Sequence, residues 1–364
     1  MKRFFFSAIA LIVTATACTE SGLIETPDSY GNPIVFDTYV GKAPITKAEN
    51  VDGNYLKAHG VRIHAFTCPS GQAKADKVDF DLPYMDGALY HDSSWGYHPV
   101  SGNTFAQSAE DVYWPGWGVD LAFTAYSLNA DNSKYISNSD NTKFTFKVHD
   151  TVSEQVDLLV APLTFVAESG LETSVRLQLY HLLSRIGFKV LATPGTSTAI
   201  EISSVKLCGA FPKTGQVNLT SATNATNATK TIPTIDANVS GEVATSYNLF
   251  ASDEKFNINS SDCDGTAITD AAPIYNTAAT PSNNLNRYMM IMPGVVSNAS
   301  IEVMYKLGSQ EKPHTARIEL GEMYFKAGSA YEFIFKVATA AIELSATVVE
   351  GGWDEQTPSE HPLS

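Results

Sequence analysis

The chain has 364 residues, with 24 Lys and Arg set against 39 Asp and Glu for a formal net charge of −15. So long a chain is more than one hydrophobic core comfortably serves, so two domains are expected. The acidic surface repels phosphate backbones, which excludes nucleic acid as a partner.

Met1, Lys2 and Arg3 precede an unbroken apolar run from Phe4 to Val13, and Thr14-Ala15-Thr16-Ala17-Cys18 closes it. A basic start followed by about ten apolar residues is too short to cross a bilayer as a helix, which takes about 20, so residues 1–17 read as an export signal that is removed. The small residues before Cys18 resemble a lipobox, the site at which a bacterial lipoprotein is acylated; Ala15 stands where Leu is usual. Acylation of Cys18 would tether the mature chain to outer-membrane lipid, since each buried CH₂ contributes about 0.8 kcal/mol. The mature chain keeps 22 basic against 39 acidic residues, a formal charge of −17.

Residues 18–33 are polar, with Gly22, Pro27, Gly31 and Pro33, and form a tether. A short strand follows at Ile34 to Val40 and ends at Gly41. Period-2 alternation then recurs at Val61 to Phe66, Val119 to Tyr126, Phe144 to Val148 and Val175 to Leu179, the pattern of a sheet buried on one face. Tyr180 to Ile186 is the best helical stretch, but Gly187 interrupts it, and it reads as a strand or as a turn entering one. Pro194 to Thr198 marks a domain boundary, giving units at 34–193 and 194–364. In the second unit strands are expected at 199–208, 288–292, 301–307, 316–320, 331–337 and 342–349. Residues 213–247, with the near-repeat Asn224 to Thr229, read as a long loop or polar edge hairpin. The glycosylation sequons at Asn218, Asn224, Asn227, Asn238, Asn259 and Asn298 read as Asn/Thr-rich loops. The architecture expected is all-β: two tandem antiparallel β-sandwiches.

No catalytic constellation emerges: there is no GxSxG, HExxH, phosphate-cradling loop or Cys-x-x-Cys, and no metal or cofactor is implied. His64 and His149 read as hydrogen-bonded or solvent-facing. Cys68, Cys208 and Cys263 are too few and too dispersed for a zinc cluster; one bridge, Cys208 with Cys263, and three buried thiols are equally open. Trp114 and Trp117 flank Pro115-Gly116, with Trp95 and Tyr97 upstream. They serve either as a core plug at a sandwich end or as a sugar-stacking platform.

Taken in order, several segments resemble the fimbrillin, or Mfa-like, family of surface lipoproteins and pilus subunits. They are Ile34 to Tyr39 with Val40-Gly41-Lys42 and Ile45-Thr46-Lys47-Ala48, Trp114 to Tyr126, Val156 to Ala161, Leu179 to Ile186, Tyr288 to Pro293, Phe325 to Phe333 and Trp353. The resemblance implies transthyretin-like sandwiches and a non-enzymatic pilus subunit or adhesin. It also implies assembly with other fimbrillin subunits, as homo- or hetero-polymer, by donor-strand exchange after proteolysis. Lys47 then marks the processing position, where many relatives carry Arg, and the exchanged strand is centred on Ile34, Phe36 and Tyr39. The neighbour's donor strand is Ile342 to Val349, since residues 354–364 are polar and Pro-bearing. Location follows as the outer-membrane surface and, after assembly, the fimbrium, with host or bacterial surface ligands as further partners. The alternative is a monomeric surface glycan-binding lipoprotein that uses Trp95, Trp114 and Trp117.

Overall fold

The alternating segments form strands in a computed structural model. It describes residues 33–40, 53–102, 104–116, 118–128, 132–167, 174–195, 198–221, 223–224, 233–237, 241–250, 253–274, 288–337, 342–352 and 355–362. The export signal, Cys18, the tether up to residue 32, Lys47, Trp117 and Trp353 lie outside the described residues. In chain order the first half holds β1 (Phe36–Val40), α1 (Gly53–His59), β2 (Val61–Pro69), β3 (Met85–His91), β4 (Trp95–Ser101) and β5 (Thr104–Phe105). It continues with β6 (Val119–Ser127), β7 (Ile136–Ser137), β8 (Lys143–Lys147), β9 (Leu159–Val166), β10 (Val175–His181) and β11 (Ser184–Ala192). Then come β12 (Ala199–Pro212), β13 (Thr214–Asn218), β14 (Thr223–Asn224), β15 (Ile235–Ala237), β16 (Val243–Asn248), β17 (Phe256–Asn259) and β18 (Ala272–Pro273). The last are β19 (Tyr288–Ile291), β20 (Gly294–Leu307), β21 (His314–Phe325), β22 (Ser329–Val337), β23 (Ile342–Gly352) and β24 (Glu355–Pro362).

A nine-stranded sheet runs β1-β10-β9-β6-β2-β3-β4-β5, with β14 also on β9. Its central strands are buried on both faces, where alternation had predicted one. Val61, Ile63, Ala65, Leu121, Phe123 and Ala125 fill the inner cluster. The opposite face is also covered: Phe80 packs edge-on against Phe66 at 5.0 Å, and Phe144 of β8 lies 4.7 Å from Tyr126. The outward set of a strand shows in sequence as polar only if solvent meets it, and Phe66, Ala122 and Tyr126 are the residues that break that rule.

Strand pairing crosses the boundary expected at 193/194. β11, placed by the sequence in the first unit, lies inside a sheet ordered β18-β11-β22-β23-β24, paired in parallel with β22 from Arg185↔Ala330 to Ala192↔Val337. Its Ile186, Phe188 and Val190 are fully or almost fully buried, as suits a central strand. Gly187 is not a helix breaker: a Cβ there would lie 2.8 Å from the ring of Tyr288, so the glycine lets β19 pack close. Conversely, β13 and β15 join β8 and β7 in a four-stranded sheet. Residues 213–247 are therefore not wholly loop: Val217, Leu219, Ile235 and Tyr247 are buried in the largest core cluster. That cluster also holds Phe144, Phe146 and Leu158 from the first half and Phe211 and Phe333 from the second. A fourth sheet, β16-β12-β20-β21 with β17 on β12, completes the framework.

Candidate functional site

The site of interest is the edge where β1 closes the nine-stranded sheet. β1 pairs in parallel with β10 in the register Phe36↔Val175 through Val40↔Leu179. The Ile34 amide donates to the Val112 carbonyl at 2.7 Å, and the Val175 amide donates to the Val35 carbonyl at 2.7 Å. Strand alternation sends Ile34, Phe36 and Thr38 inward, where they are 7%, 6% and 6% exposed. Val35, Asp37 and Tyr39 face outward, with Val35 57% and Tyr39 39% exposed. Of the three residues on which the exchanged strand is centred, Ile34 and Phe36 point into the core and Tyr39 points to solvent. Counting by twos from Ile34 and Phe36 reaches Thr38, the third inward residue of the strand.

Phe36 inserts edge-on toward Phe123 at 6.1 Å, and Trp114 meets the same ring at 6.5 Å. Fully buried Leu56 of α1, together with Leu177 and Leu179 of β10, completes the cluster. β1 is thus the plug of an apolar groove. It is held by five paired residues on one side and by a bridge at its start, Pro33 to Tyr113. On the outer face Arg176 lies 3.9 Å from Asp37, both well exposed, which contributes little.

Sequence patterning gave no sign of α1. Gly60 ends it with φ +88°, its amide donating to the Leu56 carbonyl, and a side chain there would strike the Tyr90 ring at 2.6 Å. Behind the far end of β10, His181 Nδ1 faces Asp157 Oδ2 at 2.5 Å, and both side chains are buried. Burial, followed by the charge of Asp157, pushes the Tyr55 phenol of α1 up. A second polar group lies on the opposite face of the sheet: Arg62 and His64 both approach Asp86, and Arg62 also donates to the Gly87 carbonyl at 3.0 Å. Burial works to raise the Asp86 pKa, but hydrogen bonding and charge from His64 and Arg62 win, holding its carboxyl below the usual range.

These groups tie neighbouring strands together, His64 through Nε2 toward Asp86 while its buried Nδ1 has no hydrogen-bond partner. Among the described residues no cluster of three or more His, Cys, Asp or Glu is arranged to hold a metal. Cys68, Cys208 and Cys263 are unbridged. Burial, with the Asp120 charge adding, pushes the Cys68 thiol up to about 11, which keeps it protonated and unreactive at neutral pH. His149 is only partly buried and accepts from the Thr151 amide at 3.1 Å. Of the three candidate tryptophans, Trp114 is 4% exposed within the apolar cluster and half-buried Trp95 stands edge-on to His91 at 5.1 Å, while Trp117 lies outside the described residues. Among the described residues no helix is long and apolar enough to cross a membrane.

Several solved structures are similar to the chain. A fimbrial protein from Bacteroides vulgatus is 16% identical with a TM-score of 0.53, the match covering 88% of this chain and 99% of that one. Structures described as cell-adhesion proteins from Bacteroides ovatus and Bacteroides uniformis are each 13% identical. Their TM-scores are 0.48 and 0.47; the matches cover 92% and 87% of this chain and 99% and 97% of theirs. No curated protein matches the chain. The sequence profile described as Fimbrillin-like matches residues 57–350, and on that match the chain belongs to the fimbrillin-like family.

Proposed function

We propose that the protein is a non-enzymatic subunit of a cell-surface fimbria or adhesin, delivered as a lipoprotein through acylated Cys18 and assembled by exchange of its first strand. The observation that carries this reading is β1 itself: a five-residue edge strand whose inward side chains fill a groove, joined to the rest of the chain by a segment containing Lys47. Cleavage after Lys47 would leave β1 held only by non-covalent contacts. Its departure would bare the β10 edge and the pockets of Ile34, Phe36 and Thr38 to another subunit's strand, the pairing mode of β-augmentation.

The donor in this scheme is Ile342 to Val349 of a neighbour, whose alternate residues Ile342, Leu344, Ala346 and Val348 are aliphatic. In the monomer these residues belong to β23, paired with β22 on one side and β24 on the other. Donation therefore includes release of β23 from its own sheet. β24, with Pro358 and Pro362, is the edge strand and the first to peel away, in keeping with the restriction of Pro to edges.

The test is to treat residues 19–364 with a limiting Lys/Arg-specific protease while following intact mass and light scattering. Clipping at Lys47 with growth into oligomers is expected. Clipping without growth, or a resistant monomer, refutes assembly by exchange.

A further inference from the structure

β1 contains one side chain that does not suit its place. Thr38 is 6% exposed, its Oγ1 is buried, and that oxygen has no hydrogen-bond partner in the structure. It stands opposite fully buried Leu177, on the same face as Phe36, and both of those side chains belong to the apolar cluster. A hydroxyl sealed from water without a partner costs on the order of 1–3 kcal/mol, whereas a methyl group of the same shape would cost nothing and add apolar contact. Set against this are five parallel pairs at a sheet edge, the Ile34 amide bond to Val112, the burial of Ile34 and Phe36, and one exposed ion pair 3.9 Å long, so the hydroxyl subtracts directly from the hold on β1.

We infer that Thr38 is a specificity determinant of the groove. Its buried hydroxyl makes β1 a deliberately weak occupant, and the groove favours an incoming strand that is aliphatic at that position. This rests on the reading that β1 gives way to another chain's strand, and it explains how the exchange runs forward. Two strands pairing equally well with β10 would leave the equilibrium balanced. A mismatch confined to the resident strand tilts it toward the newcomer without weakening the groove. The segment Ile342 to Val348 meets the requirement, with aliphatic residues at alternate positions and Ser345 and Thr347 on the other parity.

Thr38→Val tests this, because the change is isosteric and keeps the β-branched side chain that a strand favours. In the intact chain, amide hydrogen exchange of residues 36–40 should slow by roughly 10-fold, the equivalent of about 1.4 kcal/mol, while amides of β6 keep their rates. Thr38→Ser, which keeps the hydroxyl, should give no slowing. Unchanged or faster exchange in Thr38→Val overturns the inference, since the hydroxyl would then be satisfied. After clipping at Lys47, mass spectrometry should show the fragment ending at Lys47 leaving Thr38→Val more slowly than wild type by the same factor. If the wild-type fragment leaves and no oligomer forms, the assembly reading fails while the role of Thr38 in β1 docking stands. Slow exchange without any assembly is therefore distinguishable from failure of the inference itself.

Discussion

Two parallel strand pairs in this protein have contrasting surroundings. β11 and β22 pair over eight residues in the middle of a sheet, with β18 and β19 on the far side of β11 and β23 beyond β22. β1 and β10 pair over five residues, and β1 lies at the edge. Phe188 of β11 stacks on both Phe333 and Phe335 at 5.8 Å, and Lys189 forms a largely buried ion pair with Glu332. Phe36 of β1 makes one edge contact with Phe123, and its neighbour Asp37 reaches only an exposed Arg176. The same backbone geometry yields a strand paired on both sides in one place and an edge strand in the other. What differs is how many sides are covered, and that decides whether a strand can leave without unfolding its sheet.

Breaking the doubly paired strand should give the largest effect. Phe188→Ala empties a site that is 1% exposed between two aromatic rings, and about 3–5 kcal/mol of global stability should be lost, read as a lower denaturant midpoint. Phe36→Ala removes the same atoms from the plug, but the loss to the whole fold is capped by the free energy of docking β1. The midpoint should fall by less than half as much as in Phe188→Ala, while hydrogen exchange of residues 36–40 rises sharply. An equal fall in both variants would show that β1 unfolds only with the whole molecule.

A smaller, pH-dependent effect belongs to the groove's supporting sheet. Asp86 has a folded pKa held below its ordinary 3.8 by His64 and Arg62, against the opposing effect of burial. Its contribution is therefore fully present above the unfolded value and lost as the pH falls through the folded one. The stability difference between wild type and Asp86→Asn should be constant from about pH 7 to pH 5 and shrink below about pH 4 in urea titrations. A difference that grows on acidification would reverse the assignment. The smallest change is expected for Asp37→Ala, since the 3.9 Å pair with Arg176 is open to solvent: under about 0.5 kcal/mol, within reach only of paired denaturant curves.

The alternating runs at 61–66, 119–126, 144–148 and 175–179 told where strands lie, because the side-chain period of a strand is a local property. Pro194 to Thr198, read in sequence as a domain boundary, begins with a turn at Pro194 and Gly195. Membership of a sheet was not legible. β11 sits among strands from the far end of the chain, and β13 crosses back to β8, because hydrogen-bond partners more than 60 residues away leave no mark on the local period. The Thr-rich stretch around β13 and β15 hid Val217 and Ile235 from view for that reason as well.

At the site itself, sequence alone determined that a short apolar strand stands ahead of a basic residue. Only the tertiary structure decided the rest. Trp114 is core because it packs in the cluster with Phe123 of β6. Tyr39 faces solvent, and Thr38 is buried, because β1 docks on β10 in one register, and a register shift of a single residue would exchange the two faces. Burial is a sum over neighbours from β10, β6 and α1, so the misfit of one hydroxyl in that groove exists only once those elements have come together.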